Sequence, residues 1–65
     1  MDIKTKIREL RLSKGLTQSE LAAAIGVHKN AIVNYELGLR TPALEIALLL
    51  AVFFDITLDE LVGRK

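Results

Sequence analysis

The apolar residues of this chain recur at helical intervals almost from its start. Ile3, Ile7 and Leu10 share one face and Lys4, Lys6, Arg8 and Arg11 lie outside it, which predicts a first helix from about Asp2 to Ser13 that Gly15 ends. The run Thr17-Gln18-Ser19-Glu20 is a capping box, in which the threonine hydroxyl and the glutamate carboxylate satisfy amides left without partners at a helix start. It predicts a second helix from Gln18 to about Ile25, with Leu21, Ala22 and Ile25 along one side. Gly26 follows where the backbone needs a positive φ, and Val27 turns back into the core. A third helix, about Lys29 to Leu37, sends Ile32 and Tyr35 inward and groups Lys29, Asn30, Val33 and Asn34 on the opposite side, with Gly38 closing it. Thr41-Pro42 predicts the start of a fourth helix, because a proline at the first helical position has no hydrogen bond to lose, and this helix is expected to reach about Phe54. Thr57-Leu58-Asp59-Glu60 is a second capping box that opens a short fifth helix. No alternating strand pattern, repeat or long linker interrupts this all-α order, so residues 1–65 are expected to form a single domain.

Composition narrows the possibilities. A chain of 65 residues buries a smaller fraction of its surface than a larger domain does, so marginal stability is expected. It has no cysteine for a disulfide and no Cys/His cluster for a metal, which leaves oligomerisation as the remaining stabiliser and implies no cofactor. The lack of cysteine fits a reducing cytoplasm. The longest apolar stretch, Ile46 to Phe54, is far below the roughly 20 residues that a membrane span requires. Met1 to Leu10 alternates charged with apolar residues, unlike a signal peptide. The net charge of +1 is unevenly spread: up to Arg40 there are seven Lys/Arg against four Asp/Glu, and beyond it two against four. That asymmetry fits an N-terminal part that meets a polyanion, and ordinary surface charge would account for it equally.

Two short helices joined by a glycine-centred turn, with the small residue Ala22 where they cross, form a helix-turn-helix arrangement. Leu21, Ile25, Val27, Ile32 and Tyr35 are the apolar anchors that would clamp the two helices, leaving residues 29–34 to face outward. Asparagine costs a helix roughly 0.5 kcal/mol relative to alanine. Yet Asn30 and Asn34 stand one turn apart on this short helix, and local rule-breaking of this kind often marks function. Asparagine can bond twice to the adenine edge, lysine can reach guanine O6 and N7, and a valine methyl can touch a thymine methyl. A face that is merely solvated is the alternative.

The residues Leu16-Thr17-Gln18-Ser19-Glu20-Leu21-Ala22, then Gly26-Val27, Ile32, Tyr35-Glu36, Gly38, Arg40 and Pro42, and finally Leu58-Asp59-Glu60-Leu61, resemble the phage-repressor/Cro-like (XRE) family over nearly the whole chain. The resemblance implies a compact five-helix, lambda-repressor-like DNA-binding domain whose third helix enters the major groove of operator DNA. It also implies that Gln18 contacts a phosphate at a helix N-terminus, that Arg40 touches the DNA backbone, and that Arg11 pairs with Glu36 as a structural ion pair. Thr17 stands beside Gln18 as a second backbone candidate, although capping alone is a sufficient role for it. Lys29 can contact phosphate in place of a base. Two features depart from the family. His28 replaces the usual Ser or Thr cap of the third helix and either touches phosphate or is a tolerated surface residue, and Leu37 and Leu39 occupy positions that are usually polar.

Around the fourth helix only Glu45 clearly prefers water. Leu44, Leu48 and Ala51 fall on one side, Ile46, Leu50 and Phe53 on another, and Leu49 and Val52 share the third stripe with Glu45. A helix apolar on all sides is normally buried on all sides, so Leu49, Val52 and Phe53 are expected to form a homodimer interface. A two-fold dimer reading half-sites about one DNA turn, roughly 34 Å, apart would gain both affinity and specificity. The sequence therefore points to a regulator that binds a palindromic operator in double-stranded DNA, cytoplasmic and associated with the nucleoid through that operator, with no small-molecule effector or membrane partner. The alternative is a protein-interaction module, such as an antitoxin, whose apolar fourth helix covers a partner protein. An enzyme is disfavoured by inventory: one histidine, no cysteine, no glycine-rich phosphate loop and no carboxylate pair in a pocket motif.

Overall fold

The computed structural model describes residues 3–63. Its helices are α1 (Ile3–Ser13), α2 (Gln18–Ile25), α3 (Lys29–Leu37), α4 (Leu44–Phe54) and α5 (Leu58–Leu61), with no strand among the described residues. The expected start of α1 at Asp2 lies outside the described residues. Both capping boxes form. Thr17 Oγ1 accepts from the amide of Glu20 at 3.0 Å while Glu20 accepts from the amide of Thr17 at 2.8 Å. Thr57 and Glu60 repeat the exchange at 3.0 and 3.3 Å. Each box satisfies two amides that the helix itself cannot.

The helix ends follow from backbone conformation. Gly26 caps α2 at φ 79°, and its amide and that of Val27 both donate to the Ala22 carbonyl. Gly38 caps α3 at φ 77°. A Cβ there would stand 2.9 Å from Cδ of Lys4, so this glycine also lets the lysine stem lie over the end of α3.

The start of α4 corrects the expectation that Pro42 occupies its first helical position. The helix begins at Leu44, with Ala43 as the capping residue at ψ 160° and with Pro42 buried. The proline ring is used for packing, and the extended Ala43 delays the helix, its carbonyl accepting from the amide of Ala47.

One core holds the helices together. Ile7, Leu21, Ile32, Leu50 and Leu61, one from each helix, are fully buried, and Ala22, Ala47 and Ala51 belong to the same buried cluster. Helix α3 packs on α1 and α2, while α4 packs on α2 and α5, and α5 returns to α1. The described molecule measures 29 × 23 × 20 Å, and among the described residues no helix is long and apolar enough to cross a membrane.

Candidate nucleic-acid interface

Helix α3 is fixed from beneath by Ile32 and Tyr35, which are buried against the core. Its opposite side leaves Lys29 and Asn30 exposed and Val33 and Asn34 partly exposed. The base-reading candidates thus lie on one face of a helix whose orientation is set by its buried side. His28 precedes this face as the N-cap residue at φ −71° and ψ 148°, exposed, with no capping bond from its side chain. Leu37 and Leu39, the family departures, are both well exposed near the C-terminal end of the helix.

A groove separates this face from the start of α2. Thr17, Gln18, Val33 and Leu37 line it together with Arg8, which periodicity places only on the outer face of α1. The signal for Arg8 is present in the sequence, since it lies three residues before Arg11 and therefore on a neighbouring part of the same helix surface. Arg40 lies in a second groove with Lys4, Tyr35, Gly38 and Thr41. The candidates for DNA-backbone contact therefore divide among three places: Thr17 and Gln18 at the start of α2, His28 at the N-cap of α3, and Arg40 beyond the end of α3.

Arg11 and Glu36 meet at the floor of the first groove. Arg11 donates from Nε to Glu36 Oε2 at 2.7 Å and from NH2 to Oε1 at 3.0 Å, and its third nitrogen donates to the Leu16 carbonyl at 2.8 Å. Their side chains are 11% and 5% exposed. The hydrogen bonds that Arg11 donates to Glu36 raise the Arg11 pKa above its ordinary value, burial opposes this, and the opposite charge of Glu36 adds to the rise. Gln18 joins the pair, its Nε2 donating to Glu36 Oε1 at 3.3 Å. No spacing rule could have revealed that contact, because it spans 18 residues and two helices.

On α4, Ala47, Leu50, Ala51 and Phe54 face inward, and Leu44, Leu48, Leu49 and Val52 are exposed. Val52 is the most open of these at 79%. Phe53 is half-buried instead, edge-on to Phe54 at 5.0 Å between ring centroids, with the Lys14 ammonium 5.7 Å from its own centroid. Among the described residues no group of His, Cys, Asp and Glu has the makings of a metal site.

A helix-turn-helix family model matches residues 7–61. The chain is 45% identical over 59 residues to the cryptic phage CTXphi transcriptional repressor RstR of Vibrio cholerae, covering 91% of this chain and 53% of that protein. Among solved structures, the restriction-modification controller protein C.AhdI of Aeromonas hydrophila superposes with a TM-score of 0.83 at 37% identity, over 91% of this chain and 89% of that one. SinR, the master regulator for biofilm formation, solved in complex with DNA, gives a TM-score of 0.83 at 30% identity, over 91% and 95% of the two chains. The chain spans about half the length of RstR and of a second curated relative, the regulator AnsR of Bacillus subtilis.

Proposed function

We propose that this chain, which belongs to the helix-turn-helix family of XRE-type transcriptional regulators, binds a palindromic operator in double-stranded DNA as a homodimer and acts as a repressor. The observation that carries the proposal is the outer face of α3, where Lys29, Asn30, Val33 and Asn34 stand clear of a helix clamped on its other side. These side chains supply donors, acceptors and a methyl contact that match base edges in the major groove. Thr17, Gln18, His28 and Arg40 flank the face and hold the DNA backbone, fixing the register that base contacts then read. Repression rests on the likeness to RstR, and operator binding gains support from SinR, solved in complex with DNA.

The homodimer rests on α4. Leu44, Leu48, Leu49 and Val52 present an apolar strip to solvent, and a second copy would cover it through a two-fold contact. Phe53 borders this contact, anchored by its edge-on packing against Phe54. Residues 1–65 thus serve as one DNA-binding unit that doubles its recognition helix by pairing. As the binder of its operator, the protein works in the cytoplasm on the nucleoid.

The test separates reading from holding. Asn34→Ala is expected to relax preference at one base position and cost about 1–3 kcal/mol, while Arg40→Ala weakens all sequences alike and lowers the salt slope by about 1. Fluorescence anisotropy against matched and mismatched duplexes at several salt concentrations distinguishes the two. Equal losses on every duplex for both variants would reject α3 as the reading element.

A further inference from the structure

We infer that Glu36 is a positioning residue for DNA binding, which orients the Gln18 carboxamide so that it presents an N–H to a phosphate. The inference rests on the DNA-binding reading above and adds a residue that does not itself touch DNA. Gln18 stands at the first position of α2, beside Thr17 and Arg8 in the groove facing the outer side of α3. Its Nε2 donates to Glu36 Oε1. A carboxylate only accepts, so this bond decides which end of the carboxamide faces inward. The reversed carboxamide would set its carbonyl oxygen against the carboxylate, acceptor against acceptor.

An amide nitrogen carries two hydrogens, and the bond to Glu36 uses one. The other remains for an acceptor lying in the groove. Phosphate oxygens also only accept, so Gln18 can serve a phosphate through its nitrogen and not through its oxygen. A freely rotating carboxamide would offer either end. Glu36 removes that choice before the DNA arrives, which lowers the ordering cost of the contact.

The arrangement requires Glu36 to be rigid and its charge to be balanced, since a bare carboxylate beneath a phosphate would repel it. Arg11 meets both needs. It holds both carboxylate oxygens and is itself tied to the Leu16 carbonyl just before the start of α2. One part-buried carboxylate on α3 thereby connects α1 to the DNA-facing end of α2.

The experiment titrates four proteins on the duplex selected from a random pool: the unaltered chain, Gln18→Met, Glu36→Leu and the double variant. Each is held at a temperature where circular dichroism shows it folded. Gln18→Met keeps the side-chain length and removes both donors. It is expected to weaken binding about ten-fold in the unaltered background and less than about two-fold in the Glu36→Leu background, where no acceptor orients the carboxamide, the signature of coupled residues. Equal losses in both backgrounds would overturn the inference while leaving the DNA reading intact. Undiminished binding by Gln18→Met would remove the phosphate contact itself, and the inference with it. Failure to select any duplex would defeat the DNA reading first.

A second measurement needs no variant that must survive loss of the ion pair. In the unaltered protein, the two Gln18 side-chain amide hydrogens are inequivalent by NMR, as in any carboxamide, because rotation about the C–N bond is slow. One should be shifted and slow to exchange in the free protein, and the other should move when the duplex is added. Two hydrogens at ordinary carboxamide shifts that exchange equally fast, or signals that the duplex leaves unmoved, would overturn the inference.

Discussion

Replacing Arg11 by alanine is expected to destabilise the fold by about 3 kcal/mol. The magnitude comes from what the substitution leaves behind. Arg11 makes three hydrogen bonds, two to Glu36 and one to the Leu16 carbonyl. Without it, the Glu36 side chain, 5% exposed, keeps Gln18 as a donor but loses its balancing charge. Removing one partner of a buried pair costs about 3–5 kcal/mol, and the lower end applies because the pair borders a groove open to solvent. A chain of this length is stabilised by roughly 3–10 kcal/mol in total, so the loss is a large fraction. Urea unfolding followed by circular dichroism should show a lower midpoint at an unchanged m-value. Arg11→Lys should fall between the two, because an ammonium cannot reproduce the paired contact. Removing both partners should cost less than removing Arg11 alone, since no buried charge is then stranded. A loss below about 1 kcal/mol, the size of an exposed surface pair, would refute the reasoning. The pH dependence has a definite sign. Because folding raises the Arg11 pKa, its contribution is fully present below the unfolded guanidinium value and is lost only as pH climbs through the folded one, in strongly alkaline solution.

Three further outcomes follow from particular positions. His28 occupies a capping conformation without making a capping bond, so His28→Ser should raise stability by about 0.5–1 kcal/mol in the same urea assay, and no gain would show that the α3 start is satisfied otherwise. Gly38→Ala forces a left-handed backbone and a contact with the Lys4 stem, which should cost about 1–2 kcal/mol, and adding Lys4→Ala should recover only the steric part. On the exposed side of α4, Leu49→Glu should shift the sedimentation boundary toward monomer and weaken operator binding while leaving the urea midpoint of the monomer nearly unchanged, because Leu49 lies outside the core. Dimers that persist in this variant would place the two-fold contact elsewhere.

What the sequence discloses depends on how local each cause is. The capping boxes at Thr17 and Thr57 are legible because donor and acceptor lie three residues apart, and Gly26 and Gly38 mark helix ends because positive φ favours a residue without Cβ. The end of α4 carries no such mark. Asp55 takes the left-handed cap at φ 56°, a conformation that aspartate tolerates but does not announce. At the other end, Pro42 is buried, and tertiary packing overrides the local preference of proline for the first helical position. The functional side divides in the same way. The outward residues of α3 emerge from the 3.6-residue period, and the Arg11–Glu36 pair is implied by the family resemblance alone. The Gln18–Glu36 bond and the place of Arg8 in the groove depend on how three helices meet, which periodicity does not specify.

The most direct measurement of the central claim is selection of bound duplexes from a random DNA pool at physiological salt, followed by titration of the winner. The account predicts a palindromic site bound at least about 1,000-fold more tightly than random DNA. No enrichment, with equal affinity for every duplex, would contradict it and turn attention to the exposed strip of Leu49 and Val52 as a surface for a protein partner.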